Sequence, residues 1–209
     1  MGLKPISLLL GQAGKSNLIT LKLLNSIDDV ILGELGIKMP EVEKNNIFTV
    51  GSEEIQRRID PLFFHPLRLQ VIKSIKKSDC QTMSLKKIAK FHREITSDIS
   101  ENTVYIGLEN IASNSGAYVE TEVKESVSSA FIFKKGDILF PKLRPYLNKV
   151  FYANCDGICS TEFHVLKAIK CAPFFLFSFL TRSIVIEQTS RLMTGNTLPR
   201  LQTEDVKIY

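Results

Sequence analysis

One short segment of the chain carries the residues best suited to contact a negatively charged partner. Residues 137–151 read DILFPKLRPYLNKVF, and every charge after the first residue is positive. Lys142, Arg144 and Lys149 stand among apolar residues, with prolines at positions 141 and 145. The pattern has two interpretations: a buried strand with a solvated edge, or a segment that presents cations to a polyanion.

Other motifs that could carry chemistry are incomplete. GQAGKS at 11–16 lacks the earlier glycine of a phosphate-binding loop, because that position is Leu9, so we expect a flexible lead into a helix and no ATP site. Cys155, Cys159 and His164 have no evident fourth zinc ligand, and a buried thiol pair is the better interpretation. Neither a Gly-x-Ser-x-Gly elbow nor the Asn/Asp-Pro-Pro-aromatic tetrapeptide of adenine methyltransferases occurs. We therefore expect a binding module with no catalytic residues, no metal and no cofactor of its own.

Composition agrees with a globular, basic binding protein. The 209 residues are 44% hydrophobic and 23% charged, and the net charge of +5 favours a polyanionic partner. Four cysteines without a secretory leader predict reduced thiols and a cytoplasmic location. The most apolar segment, CAPFFLFSFLT at 171–181, is too short to span a bilayer, so we expect it in the core and no membrane contact.

The first element that could position a binding surface is an amphipathic helix that begins near Ser16 or Asn17 and ends at Gly36. Its apolar stripe, at helical spacing, consists of Leu24, Ile27, Ile31 and Leu35. This stripe packs either on the same chain or on a helix of another subunit.

The later elements predict a change from helix to sheet. A polar linker, KMPEVEKNN, precedes a short strand, IFTV, and a helix at 66–77 carries Leu69, Ile72 and Ile75 on one side. Short β-rich runs then follow: VYIGLENI, AYVETEV, SAFIF, DILFPKL, KVFYA and STEFHVL. A largely buried helix at about 173–193, a Gly-Asn turn and a last strand complete the chain. We predict an N-terminal helical segment and linker over 1–45 and a second domain over 46–209.

Three segments, in order, give the chain a resemblance to a known family. VYIGLENI at 104–111 is similar to the opening strand and turn of the target recognition domain of type I restriction-modification specificity subunits. The block at 133–168 resembles that family's central Gly-Asp-Ile-Leu strand, basic turn and Gly-x-Cys-Ser-Thr-[Glu/Asp]-Phe strand. TGNTLPRLQTEDV at 194–206 resembles its closing loop, and SIDDVILGELGIKMPE at 26–41 resembles the helical stretch before the domain. The resemblance implies an α+β fold, with a β-rich mixed recognition domain, packed helices and the N-terminal amphipathic helix.

The resemblance also implies a division of labour. The specificity subunit reads one half of a bipartite double-stranded DNA target with each recognition domain, without being an enzyme. An adenine methyltransferase subunit and a restriction subunit carry the chemistry and bind S-adenosylmethionine, ATP and magnesium. Family members usually have two recognition domains, so this chain is expected to be a half-subunit that self-associates or a truncated chain. A segment of a fused restriction-methyltransferase and a protein-interaction module are the alternatives.

Within that resemblance, residue chemistry suggests individual roles. Arg144 is the best candidate for a base contact, because a guanidinium can donate two hydrogen bonds to guanine, and Tyr146 could support Arg144 or stack. Asn196 and Arg200 flank the Gly-Asn turn and form a second candidate loop. The lysines suited to phosphate are Lys134, Lys135, Lys142 and Lys149. For each of these, a solvated surface residue is the alternative interpretation.

Scaffold residues are expected in the same central block. Sequence-reading residues differ between members by function, so the shared motif carries over scaffold more safely than contacts. Gly136, Asp137 and residues 160–163 are therefore predicted to be structural.

Overall fold

The structure of the chain is a computed structural model that describes residues 26–40, 47–52, 55, 59–78, 80–99, 103–121, 128–195 and 197–206. Its helices are α1 (26–34), α2 (Pro66–Lys77), α3 (Leu85–Ile88), α4 (Pro173–Leu180) and α5 (Ser183–Ser190). Its strands are β1 (Ala89–His92), β2 (Ile95–Thr96), β3 (Tyr105–Ile106), β4 (Ala130–Phe133), β5 (Ile138–Pro141), β6 (Phe151–Tyr152), β7 (Gly157–Cys159) and β8 (Phe163–Ala168). No helix among the described residues has the length and apolar character needed to cross a membrane.

The strands form two four-stranded sheets. The central sheet has the order β1-β8-β5-β6, and all its neighbours are antiparallel. The outer sheet has the order β2-β4-β7-β3, in which β3 and β7 run parallel. Helices together with one antiparallel sheet and one mixed sheet confirm the predicted α+β class.

Alternating side chains bury the central sheet on both faces. Ile138 and Leu166 belong to an apolar cluster shared with the helices, whereas Leu139 and Val165 belong to a second cluster shared with the outer sheet. All four residues of β5 are buried, as expected for a strand covered on both sides. The layers are therefore helices, central sheet and outer sheet, and the end of β5 is anchored by both clusters.

The predicted long helix at 173–193 is wrong, because the chain breaks between α4 and α5 at Arg182. The backbone there is extended, and the Arg182 side chain is buried, with its Nε donating to Ser178 O at 2.7 Å. Its Nη1 lies 3.3 Å from Asp28 Oδ1 in α1. Asp28 Oδ2 also accepts a hydrogen bond from Ser183 N at 3.1 Å, so a carboxylate from α1 caps the start of α5. A buried ion pair with a distant residue therefore sets the break.

The start of α4 also differs from the prediction of a largely buried helix. Phe174 and Phe175 are 63% and 60% exposed. Leu176 and Leu180 are the buried residues of this helix. The helix is therefore apolar on all sides but buried only on the side that carries these two residues.

The helix at 66–77 is confirmed as α2, although its buried face is rotated from the predicted one. Ile75 is buried as predicted, but its inward-facing neighbours are Arg68 and Val71, in place of Leu69 and Ile72. Arg68 can be buried because its Nη1 donates to Phe63 O at 2.8 Å and its guanidinium lies 4.1 Å above the Phe63 ring. The apolar spacing alone did not reveal this polar inward position.

The N-terminal helix is described only in part, and Leu24 and the predicted helix start lie outside the described residues. Leu32 is buried in the cluster shared by the helices, and Leu35 packs against that cluster. Ile27 is exposed and Ile31 is half-buried, so the described residues cover the predicted stripe only in part. The domain boundary near residue 45 and a partner helix on this stripe stay predictions.

Several short strands differ from expectation. Residues 47–50 (IFTV) form no strand, and in AYVETEV the described part contains only an isolated bridge from Tyr118 to Ile111. The predicted last strand is not seen in the described part of the closing segment, where β-type pairing is limited to isolated bridges from Arg200 to Leu143 and Thr194. Strands β1 and β2 were not predicted, because two to four residues are too few to show a clear period. The single strand expected over residues 157–163 is instead β7, followed after a turn by the start of β8.

Replacing Gly157 by alanine should lower the free energy of unfolding by about 1 to 3 kcal/mol. A Cβ at this position of β7 would lie 2.6 Å from Val104 O and 2.8 Å from Phe133 Cζ. Gly33→Ala in α1 is the matched control, since its Cβ would meet nothing within 4 Å and alanine favours helix by up to about 1 kcal/mol. Urea denaturation measures both variants, and equal stability of the two would contradict the described packing of β7.

Candidate nucleic-acid interface

The fold brings together the two segments that the sequence singled out for DNA contact. Leu143 and Arg200 form an isolated antiparallel bridge just beyond the end of β5. Leu201 N donates to Lys142 O at 2.8 Å, and Arg200 exchanges two backbone hydrogen bonds with Thr194, each of 2.9 Å. The turn at 142–149 and the described residues of the loop at 194–201 are therefore one surface, although about 50 residues separate the two segments in the sequence.

Arg144 lies at the exposed start of a tight turn. Its backbone is left-handed (φ 48°, ψ 56°), a 3₁₀ turn follows at Pro145–Leu147, and Asn148 (φ 50°) is left-handed again. The buried Asn148 side chain donates to Thr181 O at 3.1 Å, which holds the turn against the helices. Tyr146 is 46% exposed beside it. None of the described residues forms a hydrogen bond or ion pair with the Arg144 side chain, so its donors face solvent from a fixed backbone.

Two of the lysines predicted to bind phosphate, Lys142 and Lys149, form contacts within the chain. Lys142 Nζ donates to Thr161 O at 2.6 Å and lies 4.6 Å from the centre of the Phe131 ring. Burial, and next the nearby Arg93 guanidinium, lower the pKa of this ammonium group. Lys149 Nζ donates to Leu108 O at 2.8 Å. Both ammonium groups anchor the turn that carries Arg144, and their predicted role in phosphate binding stays a prediction.

Lys134 and Lys135 lie before β5, at the opposite end of that strand from Arg144. Lys134 Nζ pairs with Asp156 Oδ2 at 3.1 Å, and Lys135 N donates to Asp156 Oδ1 at 2.8 Å. These hydrogen bonds, the one from Lys135 N first, lower the pKa of the Asp156 carboxyl. The structure therefore separates these two lysines from the Arg144 surface.

Arg200 is held by a residue that had been assigned to the scaffold. Its Nε and Nη2 donate to the two carboxylate oxygens of Glu162, each at 2.9 Å. This contact raises the pKa of Arg200. Sequence reasoning missed the role of Glu162, since 37 residues lie between the partners and only the sheet brings them together. Asn196 lies outside the described residues.

The buried His164 contacts the same loop through the backbone of Leu201. Its Nε2 lies 3.2 Å from Leu201 O, and its ring packs edge-on against Phe91 with a centroid separation of 5.6 Å. Burial lowers the pKa of His164 to about 3, and the Lys142 charge contributes in the same direction. The imidazole is therefore neutral near pH 7, with a hydrogen on Nε2 that Leu201 O accepts.

The motif residues expected to be structural have structural contacts. Gly136 has φ 91°, a conformation that favours glycine, and the buried Asp137 accepts a hydrogen bond from Lys134 N at 2.8 Å. Ser160 Oγ accepts a hydrogen bond from Glu162 N at 3.2 Å. These contacts position both ends of the block that holds Arg144.

The described residues contain no group of three or more histidine, cysteine, aspartate or glutamate side chains suited to hold a metal ion. Cys159 is buried, and this burial raises the pKa of its thiol to about 12, whereas Cys155 is half-buried. Both are free thiols, and only Cys159 has the buried position predicted for the pair. GQAGKS lies outside the described residues.

The neutral state of His164 makes a testable contribution to the pH dependence of stability. The unfolded chain, with a histidine pKa near 6.5, binds more protons than the folded one between that value and about 3. The contribution of His164 to the free energy of unfolding is therefore complete above pH 6.5. It is lost as the pH falls towards 3, by up to about 1.4 kcal/mol per pH unit. In His164→Gln the amide can still donate to Leu201 O. The free energy of unfolding of this variant, measured by denaturation, should differ less between pH 7 and pH 4.5 than that of the unchanged protein. Equal differences in both proteins would contradict a buried neutral His164.

Comparison with known proteins gives this geometry a context. No protein-family model matches the chain. The chain is 30% identical over 108 residues to the type I restriction enzyme EcoDI specificity subunit of Escherichia coli. The match covers 50% of this chain and 24% of that relative, so the chain corresponds to a minor part of the longer protein.

Solved structures give a consistent result. A chain in a structure that describes complex assembly and conformational transition of the type I R-M system matches with 26% identity and a TM-score of 0.50. That match covers 60% of this chain and 35% of the other. The HsdS subunit from Thermoanaerobacter tengcongensis is 27% identical with a TM-score of 0.48, over 59% of this chain and 35% of that one. The predicted resemblance is confirmed for the matched part of the chain. That part is similar in sequence to a type I restriction enzyme specificity subunit, and its fold is similar to that of a chain from a type I R-M system.

Proposed function

We propose that this chain is a non-catalytic DNA-recognition unit of a type I restriction-modification complex. It reads one half of a bipartite target and directs methyltransferase and nuclease subunits to it. The proposal extends the similarity, which covers 24% of the curated relative, to the activity of the assembled complex.

The observation that carries the proposal is the exposed Arg144 side chain on an anchored turn. Base recognition is favoured when donors reach a base edge from a backbone that is already ordered before binding. The turn meets this need, because Pro145 and Asn148 are buried on either side of Tyr146 and strand β5 behind it is buried on both faces. Tyr146 adds an exposed ring beside the guanidinium, suitable for stacking or for supporting Arg144.

The proposed partners follow from the same function. They are double-stranded DNA, an adenine methyltransferase subunit and, in the full complex, a restriction subunit, all in the cytoplasm. S-adenosylmethionine, ATP and magnesium belong to these partners. A second recognition domain, on another chain or on a second copy, would read the other half-site, and the exposed Ile27 and Val30 of α1 are candidates for such helix contacts.

The proposal is tested by selecting bound sequences from a random duplex pool. The full chain, mixed with its methyltransferase subunit, should enrich a short half-site. Failure to enrich any sequence, under conditions in which the two proteins co-elute, would contradict a reading function.

Arg144→Ala should weaken binding to the selected site by roughly 5- to 150-fold and change binding to random DNA much less. The expected loss comes from the two donors that a guanidinium offers to guanine. Arg144→Lys is the matched control, because it keeps the charge and loses the planar fork. Equal losses on selected and random duplexes, measured by fluorescence anisotropy, would make Arg144 a phosphate contact.

Affinity for random duplex DNA should fall steeply with salt. Each phosphate neutralised by a cation contributes roughly 0.9 to the slope of log affinity against log salt concentration. Anisotropy titrations at roughly 50 to 200 mM salt measure this slope, because the affinity changes strongly with salt in that range. A flat response would show that the net charge of +5 does not contribute to DNA binding.

A further inference from the structure

The second arginine of the interface, Arg200, has a geometry that Arg144 lacks. Glu162 accepts hydrogen bonds from Arg200 Nε and Nη2, both at 2.9 Å. The two side chains are partly exposed, 41% for Arg200 and 26% for Glu162. The pair therefore lies at the surface, with one edge of the guanidinium occupied and the rest open.

The donors that remain on Arg200 have a defined direction. A guanidinium carries five N–H groups in one plane, and Glu162 takes the one on Nε and one on Nη2. The other three are on Nη1 and Nη2. The end of the guanidinium can therefore present two parallel N–H groups, the arrangement that matches O6 and N7 of guanine in the major groove.

The backbone of Arg200 is as well fixed as its side chain. It forms two hydrogen bonds with Thr194 and a bridge with Leu143, and Leu201 N bonds to Lys142 O. His164 supports the next residue through Leu201 O. A donor held in this way loses little conformational freedom on binding, which favours specific contact.

Charge distinguishes a base contact from a phosphate contact here. The Glu162 carboxylate compensates the charge of Arg200 and would repel a phosphate that approached the pair. Hydrogen bonding to a base edge requires the two free donors but no net positive charge. The pair is therefore better suited to a base than to the DNA backbone.

We propose that Arg200 reads a guanine through its Nη1 and Nη2 edge, and that Glu162 is the positioning residue that orients it. This inference rests on the proposed function. It adds a second reading residue beside Arg144, a base identity, and a role for Glu162 beyond the predicted scaffold.

The test uses the full chain with its methyltransferase subunit and duplexes of the selected sequence in which single guanines are replaced by 7-deazaguanine. This base lacks the N7 acceptor and still pairs with cytosine. At one guanine the substitution should weaken binding of the unchanged protein by roughly 5- to 150-fold. In Arg200→Ala the same substitution should have no further effect at that position, while penalties at other guanines persist.

Glu162→Gln separates positioning from simple structural support. It should reduce the 7-deazaguanine penalty at the Arg200 position. It should also strengthen binding to random DNA and steepen its salt slope by up to roughly 0.9, because the Arg200 charge is no longer compensated. A purely structural pair would give weaker binding to both duplexes together with a lower melting temperature.

Controls make each outcome decisive. Lys90→Ala removes an exposed cation from β1 and should leave every 7-deazaguanine penalty unchanged. If Arg200→Ala fails to fold by thermal melting, Arg200→Lys keeps the ion pair and removes the fork. Identical penalties in the unchanged protein and the Arg200 variant would overturn the inference. Absence of any selected sequence for the unchanged protein would instead overturn the proposed function, and with it the base contact.

Discussion

The central sheet exposes neither face over β5 and the first four residues of β8, and the positions of the other layers follow from this burial. Ile138 and Leu166 require the helices on one side, and Leu139 and Val165 require the outer sheet on the other. A strand enclosed in this way cannot shift register without moving apolar residues to the wrong face. The turn that leaves the end of β5 therefore has a fixed origin and direction.

Use of charge inside the protein determines which cations remain for a partner. Lys142 and Lys149 donate to the carbonyl oxygens of Thr161 and Leu108, and Arg182 pairs with Asp28 between helices. These contacts hold the loops and helices that surround the turn. Arg144 is the exposed cation that this framework supports, and Arg200 is the one whose direction is set by a carboxylate. The basic composition of the segment is thus divided between scaffold and surface.

Much of the scaffold could be predicted from the sequence because its signals are local. The helix at 66–77 has a regular apolar period, and the Gly136-Asp137 turn before β5 has a residue type that its backbone requires. The bidentate contact between Glu162 and Arg200 had no local signal, because 37 residues lie between the partners. The break at Arg182 had none either, because its ion-pair partner is in α1, more than 150 residues earlier. Local sequence patterns predict individual helices and strands, whereas polar contacts between distant elements shape the proposed binding surface.

Hydrogen–deuterium exchange of the full chain, with and without a duplex of the selected sequence, tests the location of the interface most directly. The account predicts that DNA slows exchange in residues 142–149 and 194–201 and leaves the β1 end of the central sheet unchanged. Slower exchange confined to β1, α2 or the start of β5, with no change at the Arg144 turn, would contradict it.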